Sequence, residues 1–296
     1  MEKDTHKVRL FMFFIMPALV IYSIFIIYPI FSTGYNSMFN WTGLNDEKEF
    51  IGLENYRRLA ADTAFSDSFR NNLWVIVASV FLQIPLGLLM AILVEKKSKQ
   101  NNILRIMYFI PFLMSTVAIG LTWSFLYDPM IGVFNHWIGA LGFDTSQLLW
   151  LGSKDLALFS VLLVVLWNYA PFSMIIFNAA LGTINKDYYE AASIDGATVW
   201  QQFKVITLPL LTPTIMNNVV LSLVGSLKSF DLFYIMTQGG PGTSTELMGT
   251  YMYKQGFKYF KMGYASAVAF TMFCVSVLTI VFVKWVQKKT AKEANI

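Results

Sequence analysis

The sequence predicts an all-α, polytopic membrane protein: six transmembrane helices with a structured polar loop between the fourth and the fifth. Three observations carry this expectation. The chain is 56% hydrophobic and only 14% charged, with a mean hydropathy of +0.54. Six of its apolar runs are long enough to cross a hydrocarbon core about 30 Å thick. Residues 182–212, between two such runs, are polar and punctuated by Gly and Pro. A soluble domain of this length has no need of so much apolar surface, whereas a bundle facing lipid does.

The spans are placed at Val8–Phe31, Leu73–Val94, Ile103–Tyr127, Leu156–Leu181, Pro213–Met236 and Met262–Val286. Lys3, Lys7 and Arg9 give the first run the look of a signal peptide. Its apolar stretch is too long for one, and no small-x-small site follows before Asn36, so it reads as an uncleaved helix. Pro17 and Pro29 are its expected kink or end positions. The chain divides into a first helix with its outer loop (1–72), a five-helix core (73–286) and a tail (287–296).

Orientation follows from the basic residues. Lys3, Lys7, Arg9, Lys96, Lys97, Lys99, Arg105, Lys186, Lys204, Lys284, Lys288, Lys289 and Lys292 fall on one side of the membrane. Lys48, Arg57, Arg58, Arg70, Lys154, Lys254, Lys258 and Lys261 fall on the other, in longer loops, and Lys228 lies within a span. The denser side is the inner one, which puts both termini and the 182–212 loop in the cytoplasm. The pI of about 9.0 then reflects Lys and Arg beside spans, and no nucleic-acid partner is expected. Trp41, Trp123, Trp137, Trp150 and Trp285 lie near proposed boundaries, as an interfacial belt requires. The lone Cys274 sits in an apolar run, which excludes disulfide scaffolds and Cys-based metal sites.

The polar loop reads as helix–turn–helix. Asn185-Lys186-Asp187 offers caps for a helix from Tyr188 to Ile194. Gly196 ends it where a left-handed turn costs nothing. A second helix from about Thr198 to Thr207 is expected to stop at Leu208-Pro209.

Within this loop Glu190-Ala191-Ala192 is followed by Gly196 and, nine residues on, by Ile206-x-Leu208-Pro209. This resembles the signature E-A-A-x3-G-x9-I-x-L-P of permease subunits in binding-protein-dependent ABC importers, with every named position matched. The resemblance implies a type I importer permease fold in which these residues form the coupling helix docked on a cytoplasmic ATPase. A loop that merely joins two spans is the rival reading. Pro17-Ala18-Leu19, Ile27-Tyr28-Pro29 and Phe50–Tyr56 resemble the carbohydrate branch of the family. Thr237-Gln238-Gly239-Gly240-Pro241, with Tyr253, Phe257 and Gly263-Tyr264-Ala265, resembles the maltose- and glycerol-phosphate-type first permease. That implies a second homologous permease as heterodimer partner, two ATPase subunits, an extracytoplasmic sugar-binding protein and a bacterial cytoplasmic membrane. No cofactor is expected on this chain, and ATP and Mg belong to the partner ATPase. Gly239-Gly240-Pro241 is itself a tight turn, compatible with capping a helix or touching the binding protein.

Asn218, Ser222, Ser226 and Ser229 share one face of the fifth span at spacings of four, four and three. The resemblance places sugar binding on this helix and the preceding span. Close helix packing explains the same spacing equally well. Asn168 and Tyr169, beside Pro171, are the candidates on the fourth span, because Asn in hydrocarbon turns to an interior or a cavity. Lys228 and Asp231 lie three apart and are placed to pair or to snorkel. His6 and His136 lack metal or nucleophile neighbours, and no phosphate loop, G-x-S-x-G or H-E-x-x-H stretch occurs, so an enzyme is not expected. Two alternatives to sugar import stay open: import of glycerol-phosphate or another polyol, and a proton-coupled secondary carrier. The second would need buried carboxylates beyond Asp231.

Overall fold

The computed structural model describes residues 13–45, 47–95, 98–145 and 148–294, with side chains up to 289. Lys3, His6, Lys7, Arg9, Lys96, Lys97 and the start of the first predicted span (8–12) lie outside the described residues. Five helices are long and apolar enough to cross a membrane: Phe13–Asn36, Thr63–Leu93, Ala157–Leu181, Val199–Leu227 and Met262–Lys289. The sixth span is a broken pair, Lys99–Leu113 and Thr116–Leu126, bent by 95°. The straight third helix expected over Ile103–Tyr127 is therefore corrected. Met114 and Ser115 are extended, with Ser115 at the N-cap of the second piece. The Pro111 carbonyl at the break is met by Asn168 Nδ2 at 2.8 Å, which satisfies a helix-end acceptor in an apolar setting.

Two further expectations are corrected in the fifth span. The loop helix does not stop at Leu208-Pro209. It passes through a wide π turn, Phe203–Thr207, straight into Leu208–Leu227, with Pro209 in the first turn of the new segment. The same arrangement occurs at Ser23–Ile27 before Tyr28-Pro29 and at Ser79–Gln83 before Ile84-Pro85. Proline clashes with the carbonyl four residues back and has no N–H to give it. Widening the preceding turn shifts that carbonyl's partner by one residue, so the helix continues instead of ending. At its other end the fifth helix stops early, at Leu227, rather than running to Met236. Lys228–Phe230 break it, and a separate helix, Asp231–Thr237, starts with a carboxylate in its first turn, where the helix dipole favours it.

The chain forms two compact units, Met1–Asp62 with Met252–Cys274 and Thr63–Tyr251 with Val275–Ile296. In the first, a short antiparallel ribbon pairs Phe39 with Phe50 and Asn40 with Glu49. Asn55 Nδ2 donates to the carbonyls of Ser37 and Phe39, and Ser37 Oγ meets the Tyr56 hydroxyl at 2.6 Å. Gly263 lies against the ribbon so closely that a Cβ there would fall 1.9 Å from the Phe39 carbonyl oxygen. Its neighbour Tyr264 donates to Asp62 Oδ2 at 2.9 Å.

In the second unit the helices enclose two apolar clusters. One, away from the 182–212 loop, gathers Val75, Ile119, Val161, Leu232, Phe233 and Leu247. Trp123 and Trp150 pack onto it, and Trp150 stacks on Tyr127, so these two expected belt residues serve the core. The other, towards the loop, gathers Ile84, Ala91, Met174, Phe177, Leu181 and Leu211. Arg105 closes that end of the second span by donating to the Val94 and Glu95 carbonyls.

Candidate functional site

Two features of the second unit stand out: a cavity between the two apolar clusters, and the loop that leads into the fifth helix. The cavity has a volume of about 310 Å³. Its polar wall is the fifth-helix stripe, from which Ser222, Ser226 and Ser229 reach it, while Gly225 adds no side chain. Ser79 and Gln83 face it from the wide turn of the second span. Its aromatic wall is Tyr169 and Phe172 from the fourth span and Phe112 from the broken third. Phe112 stacks on Phe172 at 5.3 Å and meets Tyr169 edge-on at 6.0 Å. Lys228 and Phe230, from the break after the fifth helix, and Asp231, at the start of the next helix, close the rim farther from the 182–212 loop.

The predicted candidates separate here. Tyr169, Ser222, Ser226 and Ser229 line the cavity, while Asn168 and Asn218 are buried outside it. Asn168 is committed to Pro111, as described. Ser226 also serves packing, because its hydroxyl donates to Ser79 Oγ at 3.0 Å and its carbonyl accepts from Asn72 Nδ2 at 2.9 Å. Lys228 and Asp231 make no ion pair with each other among the described residues; both are exposed on the rim. Ser79, Gln83, Phe112 and Phe172 line the cavity as well and were not among the sequence candidates. A Gln inside an apolar span was the available signal. The three Phe and Ser positions carried none.

The loop is built by tight local bonding. Asn185 Oδ1 accepts from the Asp187 N–H and starts the helix Asp187–Ile194. Gly196, at φ +79, ends it as expected, with Ala197 N–H on the Ala192 carbonyl and Gly196 N–H on that of Ser193. Thr198 and Gln201 then form a reciprocal capping box at the next helix start. Gln202 Nε2 donates to Ser193 Oγ, and the Tyr189 hydroxyl meets Thr207 Oγ1 at 2.8 Å, so the two helices are locked together. Glu190, Ala191 and Gly196 are exposed, Ala192 and Ile206 half-buried, and Leu208 and Pro209 exposed at the helix junction. A shallow groove of about 320 Å³ runs beside Ala192, Gly196, Gln201 and Ile206. Around it, apolar side chains stand uncovered: Ile194 is 87% exposed, Val199 83%, Val205 73% and Trp200 62%.

At the opposite end, Gly239-Gly240-Pro241 forms a turn held by its own neighbours. Asn71 Nδ2 donates to the Thr243 and Glu246 carbonyls, and Thr243 Oγ1 donates to Asp67. Asn72, which donates to Ser226, accepts from the Met248 N–H at 2.8 Å.

Residues 83–292 match the family model described as binding-protein-dependent transport system inner membrane component. The chain is 36% identical over 282 residues to a probable ABC transporter permease, YurN, of Bacillus subtilis, covering 95% of this chain and 96% of that one. It is 34% identical over 274 residues to the trehalose/maltose transport system permease MalF of Thermococcus litoralis, covering 91% of each. It also superposes on a chain of a bacterial alginate ABC transporter, solved in complex with an alginate-loaded periplasmic protein. The TM-score is 0.86 at 22% identity, over 98% of each chain.

Proposed function

Because this chain belongs to the family of binding-protein-dependent transport system inner membrane components, multi-pass and non-catalytic subunits of ABC importers, we propose that its cargo is a sugar. The cavity carries this reading. Hydroxyls and an amide on one wall (Ser79, Gln83, Ser222, Ser226, Ser229) face an aromatic wall on the other, the combination that a polyhydroxylated ring requires. Its volume lies at the small end of the range for small-molecule sites, which suits a disaccharide or one end of a longer chain. On the rim Lys228 is offset by Asp231, so the lining has no net positive charge and favours a neutral sugar over glycerol-phosphate. The names of relatives support a sugar as such, since one is a trehalose/maltose permease and another a sulfoquinovosyl glycerol permease.

In this reading the loop between the fourth and fifth spans lies in the cytoplasm, as do both termini, and docks on one of two ATPase subunits. Its uncovered Ile194, Val199, Trp200 and Val205 supply apolar contact area, and Glu190 supplies a carboxylate for a partner base. A second, homologous permease completes the membrane pair, and an extracytoplasmic sugar-binding protein delivers the cargo to the outer ends of the helices. ATP and Mg act on the ATPase chains, and their closure moves the loop.

The test is uptake by proteoliposomes holding the complete complex with its binding protein. Ser226→Leu removes a wall hydroxyl and fills space, and uptake is expected to fall about tenfold, equivalent to some 1.4 kcal/mol. The ATPase complex should still assemble. Unchanged uptake and an unchanged choice of sugar would return the serine stripe to helix packing.

A further inference from the structure

One helical turn from the cavity, on the loop side, lies a layer of buried polar groups that the cavity does not use. Asn218 precedes Ser222 by four residues on the fifth helix, and Ser173 follows Tyr169 by four on the fourth. Each therefore sits roughly 6 Å closer to the loop than its cavity-lining neighbour. Gly87 stands in the same relation to Gln83, and a Cβ there would lie 2.4 Å from Ser173 Cβ, so the second span closes directly on this layer. Beyond it the helices meet in the apolar cluster of Met174, Phe177, Leu181 and Leu211.

The polar atoms of this layer are unsatisfied. Asn218 is 1% exposed and Ser173 fully buried. Neither Nδ2 nor Oδ1 of Asn218, nor Ser173 Oγ, has a hydrogen-bond partner among the described residues. An amide desolvated without partners is a standing cost, which a polar group entering from the cavity would relieve. A Leu of similar size would fill the same space without that cost. A neighbouring subunit or lipid cannot satisfy these groups either, because they do not reach the surface of the chain. They can be satisfied only by something polar that enters from the cavity or by a rearrangement of the helices themselves.

We propose that Asn218 and Ser173 form a second hydroxyl-binding subsite, which receives the sugar from the cavity as the apolar cluster parts and passes it towards the loop side. The proposal rests on the reading of the cavity as the transport site. It places a polar stepping point where the path would otherwise be purely apolar.

The lone Cys274 makes a direct test simple. On a Cys274→Ser background, Asn218→Cys and Ser222→Cys are reconstituted singly with the partner permease, ATPase and binding protein, then exposed to a membrane-impermeant methanethiosulfonate. Asn218→Cys should be unreactive at rest, labelled during ATP turnover with sugar-loaded binding protein, and slowed by excess sugar. Absence of labelling in every state overturns the proposal. Ser222→Cys reads the cavity separately: if sugar never protects it, the transport-site reading fails whatever Asn218→Cys does. Asn218→Leu should lower uptake about tenfold while sugar still protects Ser222→Cys in the double variant. Full uptake by Asn218→Leu would likewise overturn the proposal.

Discussion

The two ends of the second unit spend their side chains differently. At the Gly239–Glu246 end, most polar side chains are consumed internally, although the buried Ser244 Oγ has no partner among the described residues. Asn71 serves two carbonyls, Asn72 joins Ser226 to Met248, and Thr237 and Thr245 share a bond at 2.7 Å. At the 182–212 end, internal bonds hold the backbone shape, while Ile194, Val199, Trp200 and Val205 are left to solvent. Polar groups bonded across elements fix a scaffold; uncovered apolar groups on a rigid frame mark a surface awaiting contact. The contrast also bears on the Gly239-Gly240-Pro241 motif. Its turn is required by the local hydrogen bonding, whether or not a binding protein touches it.

Three substitutions would break or sharpen this contrast. The largest effect is expected from Gly196→Pro. Gly196 has φ +79, which Pro cannot adopt, so the turn must rebuild at a cost of about 3 kcal/mol or more. Membrane insertion should persist while sugar uptake is lost and ATP hydrolysis no longer follows it; normal uptake would argue against a coupling role. Asn71→Ala comes next. It strands the Glu246 carbonyl at the opposite end, at about 1–3 kcal/mol, and leaves the Thr243 carbonyl with the Glu246 N–H alone, so it should lower the melting temperature of the purified complex. At permissive temperature uptake should persist, and a selective loss of binding-protein affinity would show that this end is more than scaffold. The smallest change in the chain itself is expected from Trp200→Ala. Trp200 stacks on Phe203 and lies under Lys204 but is mostly exposed, so melting should hardly move. ATPase association should weaken by about 1–2 kcal/mol, as truncating an interface Trp does. An unaltered association would remove this face from the docking surface.

Much of the architecture was legible in the sequence, because hydrophobic run length answers directly to the bilayer. The Gly196 turn was legible as well, since a left-handed position selects for glycine. What escaped depended on tertiary pairing. Pro209 reads as a helix stop by propensity, yet a wide turn upstream lets the helix pass. The bend at Met114-Ser115 rests on Asn168 reaching the Pro111 carbonyl, a bond between residues 57 apart in sequence. The serine stripe announced one wall of the cavity through its spacing. The opposite wall, Phe112 and Phe172, is indistinguishable in sequence from lipid-facing Phe. Asn168 and Asn218 were singled out for polarity in hydrocarbon, and polarity alone does not say whether an amide faces a cavity, a backbone carbonyl or nothing.

The passage of the helix through Pro209 has a mechanical consequence. Val199–Leu227 is one rod of 29 residues, some 43 Å long at about 1.5 Å per residue. Trp200 stands near one tip and Ser226 near the other. A tilt of about 10° around its middle would sweep each tip by nearly 4 Å, in opposite directions, for the same geometry. Such a rod has little slack: its gearing is set by where the pivot lies, and the wide turn at Phe203–Thr207 is the place where it would flex first.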